Sequence, residues 1–162
     1  MRLAAVLQFN QNGRRVLALT MELRRPINLF LRFAFATLLL ATGVGKALDV
    51  PGFVEVTREY DLLPSFLEWP AALFLIVAEF IISAWLFSGR RLGQAALATI
   101  ALHLTFSIWV AITLIRGVEV SNCGCFGVFL ARPLTNITLI EDTSMTLLAC
   151  LLYWSRSRKD PI

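Results

Sequence analysis

Two cysteines separated by a single glycine are the residues of this chain best suited to chemistry. They stand in the run Cys123-Gly124-Cys125-Phe126-Gly127, between two long apolar segments. A disulfide between them would close a small ring, and strained disulfides are reduced more easily than relaxed ones. The glycine helps because it adopts backbone angles that other residues resist. The spacing therefore indicates a thiol-disulfide pair that exchanges electrons with another protein.

A metal site is the other chemistry open to two thiolates. Zinc or copper would need further cysteine or imidazole ligands. The single histidine, His103, lies in the middle of one apolar segment, and Cys150 lies in another. We therefore predict no metal site within one chain. Cys150 follows Glu141 by nine positions, roughly 13 Å along a helix, so we expect it to be a buried small side chain rather than a third redox thiol.

The composition is that of an integral membrane protein. Hydrophobic residues make up 57% of the 162 positions, charged residues make up 16%, and the mean hydropathy is +0.71. Four segments approach the roughly 20 apolar residues that cross a bilayer. They are residues 27–48, 70–87, 92–115 and 137–154. The pattern predicts an all-α fold, an antiparallel four-helix bundle in a lipid bilayer, and the formal charge of +4 gives no reason to expect a nucleic-acid partner.

The charged residues predict how the bundle is oriented and divided. Cytoplasmic loops of membrane proteins carry an excess of Lys and Arg. Eleven of the 15 fall on one side of four alternating helices, and Lys46, Arg58, Arg116 and Arg132 fall on the other. We expect a bacterial inner-membrane protein with both termini in the cytoplasm and the cysteines outside it, where disulfides persist. Residues 1–26 would form a cytoplasmic segment, with Met21 as an alternative start, 27–154 the membrane domain, and 155–162 a basic cytoplasmic tail.

Small and polar side chains spaced four apart predict the inner faces of the helices. Glu79 in the second segment and His103 in the third would lie at similar depth, so we predict a hydrogen bond between them. That pair would either stabilise the bundle or take part in proton movement or quinone binding. We expect Lys46, near the end of the first segment, to extend to the membrane interface. The predicted inner faces are Thr37, Ala41 and Gly45 in the first segment, Glu79 and Ser83 in the second, Ala95, Thr99, His103, Ser107 and Ala111 in the third, and Thr138, Asp142, Thr146 and Cys150 in the fourth.

Several short motifs resemble one protein family. The chain resembles the MauE proteins of bacterial methylamine utilisation, within the wider DoxX-like group of four-helix membrane proteins. The resemblance covers about residues 27–154. Its motifs are Gly45-Lys46-Ala47-Leu48-Asp49, Tyr60-Asp61-Leu62-Leu63-Pro64, Glu79, Arg116-Gly117 and the run from Asn122 to Gly127.

The resemblance implies a role in maturing exported proteins. MauE is thought to help form the disulfides of the methylamine dehydrogenase small subunit beside a thioredoxin-like partner, and only Cys123 and Cys125 carry over as redox thiols. The resemblance does not identify the substrate of this chain. Two alternatives stay open: a quinone-linked thiol oxidase with the architecture of DsbB or the vitamin K epoxide reductases, which use Cys-X-X-Cys pairs, and a non-redox scaffold in which the cysteines form a structural clip.

Overall fold

A computed structural model describes the backbone of residues 2–156 and the side chains of residues 25–156. The described residues form five helices and no strand. Four of these helices are long and apolar enough to cross a membrane, which confirms the all-α four-helix prediction. The helices are α1 (Arg2–Leu48), α2 (Val50–Glu59), α3 (Ser65–Ser88), α4 (Leu92–Ile115) and α5 (Asn136–Ser155).

The ends of the long helices lie close to the positions expected from the sequence, except at two places. The apolar part of α1 is Arg25–Leu48, and the helix itself continues back to Arg2. Helix α3 begins at Ser65, five residues before the expected position, and therefore includes Pro70 in its first turns. Residues 157–162, most of the expected basic tail, lie outside the described residues, as do the side chains before residue 25.

The four long helices form a ring. Helices α1 and α4 each pack against both α3 and α5, so that α1 lies opposite α4. Leu39, Leu86 and Leu152 are fully buried between them. Large apolar side chains such as Phe30, Phe74 and Leu147 are exposed on the outer surface, as they would be in contact with lipid.

A short helix between α1 and α3 was not predicted from the sequence. Helix α2 begins after Asp49, whose Oδ1 accepts a hydrogen bond of 2.9 Å from the amide of Gly52, and Pro51 occupies its first turn. An aspartate cap followed by proline is a typical helix start. Its buried Phe53 and Val56 pack against one end of the bundle, the end that carries the two cysteines.

The predicted inner face is correct for α4 and wrong for α1. Ala95, Thr99, His103 and Ser107 of α4 are buried, whereas Thr37 and Ala41 of α1 are exposed. The buried side of α1 carries Phe35, Leu39, Thr42 and Lys46 instead. Packing of these bulky side chains against the other helices fixes the rotation of α1, so Thr37 and Ala41 face outward, whereas Ala36 lies inside.

Candidate functional site

The two cysteines are held in a tight turn within the loop of residues 117–135, here called the cysteine loop. Gly124 and Gly127 adopt left-handed backbone angles, with φ of 70° and 66°. The amide of Gly127 donates to the carbonyl of Gly124 over 3.1 Å. Asn122 closes the turn from both sides, because its Oδ1 accepts from the Gly124 amide and its Nδ2 donates to the Gly127 carbonyl, each over 3.0 Å. Glycine is suited to these angles, and the asparagine stabilises a turn of this kind.

This turn brings the two thiols into contact. The Sγ atoms of Cys123 and Cys125 are 3.1 Å apart, a distance at which one thiol donates a hydrogen bond to the other. Both are free thiols, with Cys123 buried and Cys125 half-buried. A disulfide needs about 2.05 Å between the sulfur atoms. When the pair is oxidised, a movement of roughly 1 Å would therefore bring the two sulfur atoms to bonding distance.

The turn packs against the end of α1 with no space for side chains at the crossing. A Cβ atom on Gly45 would lie 2.7 Å from the carbonyl oxygen of Phe126, and one on Gly127 would lie 2.7 Å from the carbonyl oxygen of Gly45. The residue after α2 also holds the turn, because the hydroxyl of Tyr60 donates to the carbonyl of Cys123 over 2.7 Å. The cysteine loop is thus fixed to the bundle by backbone contact.

A buried ion pair lies directly beneath the cysteines. The ammonium of Lys46 lies 2.6 Å from Oε1 of Glu79 and donates to the carbonyl of Cys125 over 2.9 Å. Two predictions are therefore wrong: Lys46 does not extend to the interface, and Glu79 does not hydrogen-bond His103. The physical reason is that an ammonium ion neutralises a buried carboxylate, which an imidazole N–H does less well.

His103 lies on the inner face of α4 against aromatic rings. Its ring centroid is 5.5 Å from that of Phe35 and 6.4 Å from that of Phe106. Within the described residues neither ring nitrogen has a hydrogen-bond partner, and the same is true of Oε2 of Glu79. Buried polar atoms usually have a hydrogen-bond partner. A ligand or water could therefore supply the partners of the two ring nitrogens and of Oε2.

A cavity of about 270 Å³ connects these groups. Its walls are mainly apolar and aromatic. The sequence-predicted residues Lys46, Glu79, His103, Cys123, Gly124, Cys125 and Phe126 all line it, whereas Gly127 supports the turn from behind.

Charge at the mouth of the cavity distinguishes the two thiols. A hydrogen bond from Cys125 and the nearby guanidinium of Arg132 outweigh the effect of burial and lower the pKa of Cys123 to about 5. Donating that hydrogen bond, together with burial, raises the pKa of Cys125. Arg132 is itself held by an ion pair with Glu141 at the start of α5. Burial, followed by the charge of the thiols, raises the pKa of Tyr60, which keeps its hydroxyl a donor. The nearby Arg132 thus favours Cys123 as the thiolate of the pair, with Cys125 as its proton donor.

Cys150 lies apart from this site. It is exposed on the outer surface of α5, so the prediction that it is buried is wrong. The adjacent Ala149 occupies the buried position of this turn. Among the described residues, no group of three or more His, Cys, Asp or Glu side chains is arranged to hold a metal ion.

Sequence reasoning missed three groups at the site. Arg132 and Asn122 received no role, and the contact between Tyr60 and the cysteine loop was not foreseen. One signal was present, because Tyr60, Lys46, Glu79 and Asn122 all belong to the motifs on which the family resemblance rests. These motifs, distant in sequence, meet at the cysteine pair.

Comparison with known proteins gives two kinds of match. The sequence profile of the family described as "Methylamine utilisation protein MauE" matches residues 24–155. Methylamine utilization protein MauE of Paracoccus denitrificans is 32% identical over 119 residues, which are 74% of this chain and 64% of that protein. The protein of the same name from Methylorubrum extorquens is 28% identical over 128 residues, 79% of this chain and 69% of that protein. The chain thus spans less than two thirds of the Paracoccus protein. No solved structure matches significantly.

Proposed function

Because the chain belongs to the MauE family, we propose that Cys123 and Cys125 form a thiol-disulfide pair that oxidises exported proteins during their maturation. One observation supports this proposal above the others. The two sulfur atoms are 3.1 Å apart in a loop that stabilises one of them as a thiolate. A structural clip would gain nothing from a stabilised thiolate, whereas an exchanger would.

The difference between the thiols indicates the direction of electron flow. In the oxidised pair, a client thiolate attacks Cys125, the less buried of the two residues, and forms a mixed disulfide. The S–S bond breaks, and Cys123 leaves as the stabilised thiolate, since thiols of lower pKa leave faster. A second client thiol then displaces Cys125, which takes up a proton. The client loses two electrons and two protons, and a couple whose reduced form is stabilised is the stronger oxidant.

The names of the relatives suggest the setting of this chemistry. Both are methylamine utilization proteins. We propose that this chain takes part in methylamine utilisation, with a methylamine dehydrogenase-like protein or another exported protein as client and a thioredoxin-like protein as partner. The membrane would be the bacterial inner membrane. The bias of eleven basic residues against four supports an orientation with the cysteine loop outside the cytoplasm.

A trapping experiment tests the exchange. In a Cys150→Ala background, Cys123→Ser leaves Cys125 to attack the disulfide of an oxidised client, the reverse of the proposed exchange. A mixed disulfide forms, one client thiolate leaves, and no second thiol of this chain resolves the adduct. We expect mass spectrometry to find a client peptide bonded to Cys125 in cells, and far less adduct in the matched Cys125→Ser variant, whose remaining thiol is buried. If neither variant yields an adduct, and the disulfide of the protein with both cysteines stays oxidised under every reductant, the pair is a structural clip.

A further inference from the structure

The proposed exchange leaves the cysteine pair as two thiols, so another molecule must take their two electrons. No third thiol adjoins the pair, because Cys150 lies on the outer surface of α5. The space that does adjoin both sulfur atoms is the cavity of about 270 Å³ beneath the turn. Small-molecule sites begin at roughly 300 Å³, so this cavity suits a ligand with a single ring system.

The polar groups in the cavity suit a ligand that changes between acceptor and donor. Oε2 of Glu79 and both ring nitrogens of His103 lack partners, although only 1% of Glu79 and 6% of His103 is exposed. The imidazole and the ammonium of Lys46 can donate to a carbonyl oxygen. The free carboxylate oxygen can accept from a hydroxyl. One site therefore serves a carbonyl compound and the hydroxyl compound formed by its reduction.

Apart from the charged Arg132, Glu141 and Asp142 and a few hydroxyl groups, the remaining wall is apolar and aromatic. Phe53, Phe106 and Trp109 line the cavity, and the ammonium of Lys46 lies 5.5 Å and 5.8 Å from the first two ring centroids. Such walls accept a flat unsaturated ring. A charged or strongly hydrated acceptor would be poorly solvated between them.

An apolar groove on the lipid-facing side of α1 adjoins this cavity. It follows the helix from Pro26 to Ala41, about 22 Å at the helical rise. Leu38 and Phe126 border both spaces. A ligand with its ring in the cavity could therefore place a long apolar tail in the groove, within the membrane.

From these observations we infer that the cavity binds a membrane quinone as the electron acceptor of the cysteine pair, an inference that rests on the proposed function. The thiolate of Cys123 forms an S–S bond with the sulfur of Cys125 as the S–H bond of Cys125 breaks. Two electrons pass to the quinone together with the proton of Cys125 and a second proton from water. Two O–H bonds form on the quinone, which becomes a quinol. The restored disulfide then oxidises the next client.

The test uses the full chain in lipid nanodiscs with a Cys150→Ala background, a reduced pair and decylubiquinone as probe, without oxygen. We expect one quinol per disulfide formed. His103→Leu should lower kcat/KM about tenfold, the value of one hydrogen bond to a buried group, and His103→Gln, which keeps an N–H donor, should restore most of it. Equal kcat/KM values in the unsubstituted protein and both His103 variants would show that the quinone does not bind beside His103.

A tail-specific variant tests the groove. Ala34 lines the groove but not the cavity, so Ala34→Trp narrows the groove alone. This change should raise KM for decylubiquinone about tenfold, which corresponds to the loss of one apolar contact with the tail. KM for a quinone without a tail should stay unchanged. The control Ala101→Trp adds the same side chain to the exposed side of α4 and should change neither value. An equal effect of Ala34→Trp on KM for both quinones would show that the groove does not bind the quinone tail.

The same preparation separates the two proposals. A pair oxidised chemically in advance should oxidise a reduced client peptide without quinone. If it does so while decylubiquinone is never reduced, the quinone site is refuted and the exchange function stands. If the preformed disulfide does not oxidise the peptide, the proposed function fails.

Discussion

Replacing Arg132 should raise the pKa of the Cys123 thiol and make the pair a weaker oxidant. The guanidinium stabilises the thiolate whose pKa lies at about 5. A neighbouring cation lowers the pKa of an acid by about 1 to 3 units. Because the Arg132 side chain is 46% exposed, we take the low end of that range and expect a rise of about one unit. The variant should carry Glu141→Gln as well, since the carboxylate would otherwise lose its partner and repel the thiolate.

The redox consequence follows with a defined sign. At pH 7 Cys123 is ionised in both proteins, so a rise of one unit destabilises the reduced form by about 1.4 kcal/mol. For a two-electron couple this moves the reduction potential about 30 mV more negative. The disulfide of the variant is therefore harder to reduce and oxidises clients less completely.

The assay is site-resolved alkylation of the fully reduced protein between pH 4 and 9. In a Cys150→Ala background, mass spectrometry follows modification of Cys123 and Cys125 separately. The Cys123 midpoint should lie near pH 5 and move to about 6 in Arg132→Gln/Glu141→Gln, whereas Arg90→Gln at the other end of the bundle should leave it in place. The rate itself is a poor readout, because nucleophilicity falls as pKa falls. An unshifted Cys123 midpoint near pH 8.5, or no change of the midpoint when the arginine is lost, would show that Arg132 does not stabilise the thiolate.

Three further predictions concern the parts that hold the site. Lys46→Met or Glu79→Leu alone should destabilise the protein by about 3 to 5 kcal/mol, because each leaves a buried charge unpaired. In thermal unfolding in detergent, the double variant should lose much less stability than the sum of the two single losses. Gly127→Ala should destabilise the protein by about 1 to 3 kcal/mol in the same assay, because its Cβ would lie 2.7 Å from the carbonyl oxygen of Gly45 and its φ is positive. Gly117 also has a positive φ but no neighbour within 4 Å, so Gly117→Ala measures the backbone effect alone. Tyr60→Phe should leave the fold intact but cost about 1 kcal/mol and increase hydrogen exchange in the cysteine loop, and unchanged exchange would contradict the role given to its hydroxyl.

The membrane helices could be predicted because apolar length alone determines them. Helix α5 was predicted despite Glu141 and Asp142, and the structure explains why it tolerates them. Both lie at the end next to the cysteine loop, where Glu141 pairs with Arg132. Helix α2 was missed because its ten residues are too few for the search for membrane spans, although the cap at Asp49 marked its start.

The interior of the site could be predicted only in part. Glu79 and His103 were recognised as buried polar groups because each lies in the middle of an apolar segment. Their partners could not be found, since spacing within one helix does not show which residue of another helix faces it. Lys46 illustrates this limit: near a helix end it is typical of an interfacial lysine, but α2 and the cysteine loop cover that end and turn the side chain inward.

The reduction potential of the Cys123/Cys125 pair distinguishes a disulfide exchanger from a structural clip. Purified protein in nanodiscs is equilibrated against thiol-disulfide buffers, quenched with acid and analysed by mass spectrometry. We expect one reversible disulfide between the two cysteines, with a midpoint between about −120 and −230 mV, the range of proteins that exchange disulfides with clients. A midpoint below about −300 mV, as in structural disulfides, or the absence of any disulfide between the two residues, would contradict it.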